Sequence, residues 1–214
     1  MAETIGVIDY GMGNLHSLGK ALERVASSQR IVISYDAEEL RACDKLVLPG
    51  VGGVRACMTE LKRLDLYELV REQAKKVPLL GICLGMQVLH EWSDENNGVP
   101  ALGLVPGKVV RFPDPPPGVP DRLRVPHMGW NQVKQVNKHP IWAGVRDDSW
   151  FYFVHSYHAV PRHKKHLIGT ADYGQPFAAA VAKDNIVAFQ FHPEKSREHG
   201  MTLLANFVSW DGKA

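Results

Sequence analysis

The chain has 214 residues, with 25 Lys and Arg against 23 Asp and Glu, a formal charge of +2. That length suffices for one domain spanning 1-214 with a sizeable core, and the near balance of charge gives no electrostatic case for nucleic acid or an anionic membrane. Its three cysteines, Cys43, Cys57 and Cys83, form no C-x-x-C pair, so neither a disulfide framework nor a zinc knuckle is indicated and a reducing, cytoplasmic setting is expected.

The N-terminus, "MAETIGVIDYG", enters a strand pattern at once, and no run approaches 18 apolar residues, so neither a leader nor a membrane span is expected. Short β-rich runs then alternate with helical patterns: "TIGVID", "NLHSLGKALERVA", "RIVIS", "KLVLP", "VRACMTELKRL", "PLLGI" and "LGMQVLHEWS". This βαβα punctuation predicts an α/β fold whose parallel sheet carries helices on both faces. Sites on such sheets lie at the carboxyl ends of strands.

After Asn96 the pattern changes to closely spaced strands: "GLVPGKVVRF", "QVKQV", "SWFYFVHSYHAV", "HLIGTADYG", "FAAAVAK" and "IVAFQFHPE". An antiparallel or mixed extension of the sheet is expected there. Five prolines between Pro113 and Asp121 rule out helix or central strand and predict an exposed loop. Met201, Leu204, Phe207 and Val208 recur at helical spacing after Ser196, predicting a closing amphipathic helix with Ser196 as its cap.

Two glycine-rich turns invite a nucleotide reading and fail it. "DYGMGNLH" begins like a dinucleotide fingerprint, but His16 stands where the third glycine belongs. "VLPGVGG", Val47 to Gly53, lacks the Lys-Ser or Lys-Thr that would hold phosphate and metal. Its glycines do let backbone amides approach a ligand closely, so this turn is either an anion-binding loop around Val51 and Gly52 or an ordinary βα connection.

"GICLG", Gly81 to Gly85, has the G-x-nucleophile-x-G form of a strand-to-helix elbow. Such a turn would lift the Cys83 sulfur to a helix N-terminus and aim the Leu84 N–H at a developing oxyanion. By the pentapeptide alone, a buried cysteine packed between glycines reads equally well. A nucleophile needs a base, and the chain holds ten histidines. His90 is about 10 Å along the expected helix, too far to take the proton, and reads as a helix-surface residue. His16, His163, His166 and His199 sit in polar or helical settings and read as solvated, and His139 precedes Pro140 in a turn. His155, His158 and His192 end apolar strands, and only His192 has a carboxylate two residues on, Glu194, able to hold the imidazole's tautomer and charge.

Together the "PGVG" strand end, the "GICLGMQ" elbow and the terminal "HPE" resemble the class I, or triad, glutamine amidotransferases. The likeness covers nearly the whole chain. The stretches "IDYGMGNLHS", "PHMGWN", "YFVHSYH" and "FHPEKS" resemble the branch that serves a separate cyclase of histidine biosynthesis. The resemblance implies a flavodoxin-like α/β sheet with added antiparallel strands in the C-terminal half. It implies glutamine hydrolysis by Cys83, His192 and Glu194, backbone oxyanion donors at Leu84, Val51 and Gly52, and Gln87 as a glutamine-binding side chain, with no cofactor and no metal. It further implies a (β/α)8-barrel cyclase subunit as partner in a heterodimer, with Asn14, Trp130 and Lys195 on the docking surface. Asn14 reads equally as a helix cap, Trp130 as a core aromatic and Lys195 as a solvated charge. Two other functions remain open: a stand-alone γ-glutamyl cysteine hydrolase on the same fold, and a non-catalytic regulatory module.

Overall fold

The structure, a computed structural model, describes residues 2–113 and 123–213. The first half is built as the alternation predicts: β1 (Thr4–Ile8), α1 (Leu15–Val25), β2 (Arg30–Ser34), α2 (Ala37–Arg41), β3 (Lys45–Leu48), α3 (Val54–Arg63), α4 (Leu66–Gln73), β4 (Leu79–Ile82) and α5 (Leu84–Val88). Local chemistry sets several of these boundaries. Asn14 Oδ1 accepts the Ser17 N–H at 3.4 Å at the start of α1. Asp36 Oδ1 accepts from Glu38 N and Glu39 N at 2.8 and 2.9 Å and opens α2, satisfying amides that have no partner within the helix. The continuous apolar runs "KLVL" and "LLGI" are buried throughout, as strands covered on both faces must be.

The second half supplies β5 (Trp92–Ser93), β6 (Val99–Pro100), β7 (Gly107–Arg111), β8 (His127–Gln135), β9 (Ser149–His155), β10 (Tyr157–Pro161), β11 (Leu167–Asp172), β12 (Pro176–Lys183), β13 (Ile186–Phe189) and α6 (Arg197–Ser209). In the sheet the order runs β2-β1-β3-β4-β13-β12-β10-β7-β5-β6, with β11 joining β12 to β8 and β9 pairing with β8. The first five are mutually parallel. A 2-1-3-4 order with one further parallel strand beside β4 is the doubly wound, flavodoxin-like arrangement; here β13, near the end of the chain, takes the fifth place. Beyond it the pairing is antiparallel except between β5 and β7.

Each sheet face has its own core. Leu22 of α1 and Leu204 and Phe207 of α6 pack with Val7, Val47 and Phe189 in one cluster. Leu61 of α3, Leu69 of α4 and Leu89 pack with Ile8, Leu46 and Leu79 in the other. A fully buried leucine contributes about 1.5–3 kcal/mol, so these layers anchor the strands whose ends carry the chemistry.

Four expectations are corrected. The helix expected across "LGMQVLHEWS" stops at Val88, because the chain turns back through Leu89 and His90 into β5. His90 is therefore fully buried rather than on a helix surface. Ser196 stands at the α6 cap position, but its hydroxyl donates backward to His192 O at 2.6 Å and accepts Tyr152 N–H at 3.0 Å, so it ties the preceding turn to β9 instead of capping the helix. His166, read as solvated, is buried, whereas His16 and His163 are exposed as expected. The proline-rich loop, Pro113 apart, lies outside the described residues.

Candidate active site

Residue Cys83 follows β4 directly and adopts φ 54°, ψ −108°. A non-glycine residue with positive φ stores strain of order 1–3 kcal/mol and persists only where its surroundings enforce it. The enforcement comes from both sides. Cys83 N–H is held by Phe189 O at 2.7 Å, and α5 is drawn against β3 so closely that a Cβ on Gly85 would lie 1.8 Å from the Leu48 carbonyl oxygen. The glycine after the cysteine is thus a packing requirement, and the turn it permits is the elbow anticipated from "GICLG". Leu84 opens α5, so its N–H has no acceptor within the helix.

β13 lies parallel to β4 with Phe189 opposite Ile82. The chain leaving β13 therefore emerges beside Cys83 and delivers His192 three residues later. Pro193 begins a 3-10 turn, Pro193–Lys195, that folds Glu194 back onto the imidazole: His192 Nδ1 lies 2.8 Å from Glu194 Oε1, and both side chains are 3 % exposed. The other ring nitrogen, Nε2, is buried with no hydrogen-bond partner, and His192 and Cys83 line the same cavity. Burial opposes charge on the ring, but hydrogen bonding and charge from Cys83 and Glu194 outweigh it and push the His192 pKa up to about 10. Cys83 and the His192–Glu194 pair thus meet at one site, at the adjacent ends of β4 and β13.

These groups open onto a cavity of about 320 Å³ lined by Val51, Gly52, Cys83, Leu84, Gln87 and His192 together with Glu95, Pro126, Val154, His155, Ser156 and Tyr157. The "PGVGG" turn forms its rim. Tyr10 anchors the upstream end of that turn through its hydroxyl, which donates to Pro49 O at 2.6 Å. Glu95 holds the downstream end, accepting the Val54 N–H at 2.7 Å. Between them Val51 is exposed and Gly52 has φ +94°, and both residues line the cavity together with Leu84.

Gln87, one turn beyond Cys83, is buried rather than on an exposed helix face. Its Nε2 donates to Tyr157 O at 2.9 Å and to Gln190 Oε1 at 3.1 Å. A carbonyl only accepts, so the amide orientation is forced and Oε1 is the acceptor left over. Gln87 and Glu95 both line the cavity.

Of the docking candidates, Trp130 lies on β8 and Lys195 sits against β9, whereas Asn14 stands at the start of α1. Trp130 is 40 % exposed, which removes the core-aromatic reading, and the Arg197 guanidinium stacks on its ring at 5.2 Å. Lys195 is exposed with Nζ 5.8 Å from the Tyr152 ring centre. Asn14 caps α1, as one reading of it held, and sits next to Gly13, whose Cα faces Pro49. Met128 and Trp150 are also exposed on the same ribbon. No group of metal-ligating side chains occurs among the described residues.

Sequence reasoning passed over Glu95, Ser156, Tyr157 and Gln190. For Gln190 a signal existed: it is the lone polar residue in the apolar run "IVAFQF", and a polar side chain buried in a strand must be bonded to something. Glu95 lies in the turn-rich "SDENNG", where nothing marks it from its neighbours.

The family model for glutamine amidotransferase class-I matches residues 6–210. The chain is 52 % identical over 209 residues to imidazole glycerol phosphate synthase subunit HisH of Nitrosococcus oceani, covering 98 % of each. It is 51 % identical over 213 residues to subunit HisH 1 of Pseudomonas aeruginosa, covering both chains fully. Among solved structures it superposes on a chain of PurLQS from Thermotoga maritima with a TM-score of 0.70 at 16 % identity, covering 98 % of this chain and 99 % of that one. The glutaminase domain of Trypanosoma brucei CTPS gives 0.60 at 19 % identity, covering 99 % and 95 %. At such identities the structural likeness speaks for the fold alone.

Proposed function

The chain belongs to the class I glutamine amidotransferases and is a glutaminase of histidine biosynthesis; from that premise we propose that Cys83, His192 and Glu194 carry out the hydrolysis and that the ammonia passes to a separate cyclase subunit. The observation that carries the residue assignment is the meeting of the strained elbow at Cys83 with the buried His192–Glu194 pair in one cavity.

In the proposed cycle the Cys83 proton passes to His192 Nε2, as the raised His192 pKa favours, and the thiolate attacks the side-chain carbonyl carbon of glutamine. Glu194 keeps the ring oriented and compensates its charge. The oxyanion is received by the N–H of Leu84 and the backbone of Val51 and Gly52. His192 then protonates the departing nitrogen, the C–N bond breaks, and ammonia leaves a γ-glutamyl thioester. Water adds to the thioester with His192 as base, the C–S bond breaks with its electron pair returning to sulfur, and glutamate departs. Gln87 Oε1 and Glu95 would hold the substrate's ammonium group.

Ammonium is no nucleophile, so the product must travel shielded from water. A (β/α)8-barrel cyclase would receive it and make imidazole glycerol phosphate and an aminoimidazole carboxamide ribotide. The exposed Trp130, Trp150 and Met128 on the β8–β9 ribbon, with Lys195 over Tyr152, support a docking face there, and Asn14 at the start of α1 is the further candidate. No helix among the described residues is long and apolar enough to cross a membrane, and the proposed setting of the complex, from its place in histidine biosynthesis, is the cytoplasm.

The test is reconstitution with the cyclase. Cys83→Ala should abolish glutamine-driven cyclisation and spare ammonia-driven cyclisation; a mutant that still uses glutamine overturns the assignment. Full turnover of glutamine or γ-glutamyl peptides without any partner would favour a stand-alone hydrolase instead.

A further inference from the structure

The Cys83 sulfur lies between two polar groups of opposite character. As a thiol it faces the Val154 carbonyl oxygen at 3.9 Å, an acceptor for S–H. On another side Gln190 Nε2 approaches it at 3.8 Å, a donor to sulfur. Gln190 is fully buried, and its backbone N–H is tied to Ala179 O at 2.9 Å, so its side chain has little freedom.

The orientation of that amide follows from one backbone carbonyl. Tyr157 O accepts Gln87 Nε2 at 2.9 Å, which makes the Gln87 nitrogen the donor to Gln190 Oε1 at 3.1 Å. Gln190 Oε1 being the acceptor, Gln190 Nε2 is the end turned toward sulfur. The same carbonyl takes the proton of His155 Nδ1 at 2.8 Å. His155 Nε2 is then bare and accepts from His127 Nδ1 at 2.9 Å, and His127 Nε2 is left to face Asn131 Nδ2 at 3.4 Å. Both lone pairs of Tyr157 O are thereby used, and the carbonyl is fixed from two sides.

We propose that Gln190 is a further catalytic residue, whose side-chain N–H supports the Cys83 thiolate and is held in register by Gln87 and the Tyr157 carbonyl. This rests on the reading of Cys83 as the nucleophile. The donor acts twice: on the attacking thiolate, and again when the tetrahedral intermediate of thioester hydrolysis collapses and the C–S electron pair returns to sulfur. Without it the sulfur retains the Val154 carbonyl, which suits the thiol, and loses a partner that suits the anion.

Two variants test this. Gln190→Glu keeps an acceptor for Gln87 but has no N–H for sulfur, and Gln190→Met has similar length with neither. Alkylation of Cys83 by iodoacetamide at pH 7 in the free chain, read on the Cys83 peptide by mass spectrometry, should slow about fivefold or more. In the complex with cyclase, kcat for glutamine should fall about tenfold or more, the scale of one hydrogen bond to a charged group, with KM within about twofold and ammonia-driven turnover retained. Folded variants that match wild type in both alkylation and kcat overturn the proposal. Should neither variant fold, the wild-type chain still decides: capping Cys83 with iodoacetamide should shift the Gln190 side-chain amide in a ¹H–¹⁵N spectrum, and an unmoved resonance overturns it. A wild-type complex unable to use glutamine would instead overturn the reading of Cys83 as a glutaminase nucleophile, leaving the amide measurement to stand by itself.

Discussion

His192 Nδ1 and Glu194 Oε1 are 2.8 Å apart across Pro193, with both side chains buried. The carboxylate can only accept, so Nδ1 donates to it, and Nε2 is the nitrogen left to exchange a proton with Cys83. Glu194→Gln replaces that acceptor with an amide able to donate to Nδ1, which moves the ring proton to Nε2 and removes the base. A loss in kcat of about 10²–10⁴ is expected, in line with loss of the orienting carboxylate in other triads, with little change in KM. Steady-state glutamine hydrolysis in the presence of the cyclase measures it.

The same pair has a pH signature in stability. The His192 pKa is raised in the folded state to about 10, from an ordinary value near 6.5. A raised basic group stabilises the fold fully below its unfolded pKa and loses that contribution as pH rises through the folded value. The melting temperature of wild type should therefore exceed that of Glu194→Gln most at about pH 6, with the gap shrinking toward pH 10. Thermal unfolding at pH 6, 8 and 10 reads it, and a gap that widens with pH contradicts the assignment.

Other buried histidines act in the opposite direction. Burial lowers His90, His127 and His139 to about 4 and His155 to about 3. The unfolded chain binds protons at these rings near pH 6.5 while the folded chain does not, so stability is intact above that pH and falls as pH drops toward 4 and 3. Each ring contributes about 1.4 kcal/mol per pH unit once it titrates only in the unfolded state. Replacing His90, whose Nδ1 faces Val105 O at 3.2 Å, with Gln should flatten the decline of melting temperature between pH 6 and 4.5 by roughly one proton's worth.

Gly85→Ala should damage both fold and activity. Its Cβ would meet the Leu48 carbonyl oxygen at 1.8 Å, and that backbone cannot yield without moving β3. Gly81→Ala meets Leu89 Cδ1 at 2.8 Å, Ala188 Cβ at 3.0 Å and the Gly85 backbone carbon only at 3.1 Å, and should cost less. Overpacking costs about 1–3 kcal/mol in ordinary cores, and Gly85→Ala is expected beyond that range. Denaturant unfolding of the two variants compares them directly.

Trp130→Ala should raise the cyclase concentration giving half-maximal glutamine-driven turnover by about tenfold or more, the usual scale for a central aromatic anchor. The melting temperature of the free chain should stay close to wild type, since Trp130 is 40 % exposed and among the described residues its ring contacts are with Arg197 and, edge-on, Tyr152. An unchanged cyclase requirement would take Trp130 out of the interface.

Much of the fold was legible in the chain because its information is local. Alternating apolar runs and helical patterns marked β1 to β4 with α1 and α3 between them, glycines marked the elbow, and the spacing of His192 and Glu194 marked a base with its orienter. Each depends only on residues a few positions apart. Long-range placement was not local and was decided by the tertiary structure. Nothing in "IVAFQFHPE" states that it pairs with "PLLGI", yet that pairing puts Phe189 opposite Ile82 and turns an isolated cysteine and an isolated histidine into neighbours. The burial of His90 likewise came from the turn that ended α5 early, because packing against Val105 outweighed helical propensity. Gln190 shows the boundary most sharply: its polarity within an apolar strand was visible from the start, but its partners, Gln87 and Cys83, lie 103 and 107 residues away in sequence, and only the folded sheet brings them within hydrogen-bonding reach.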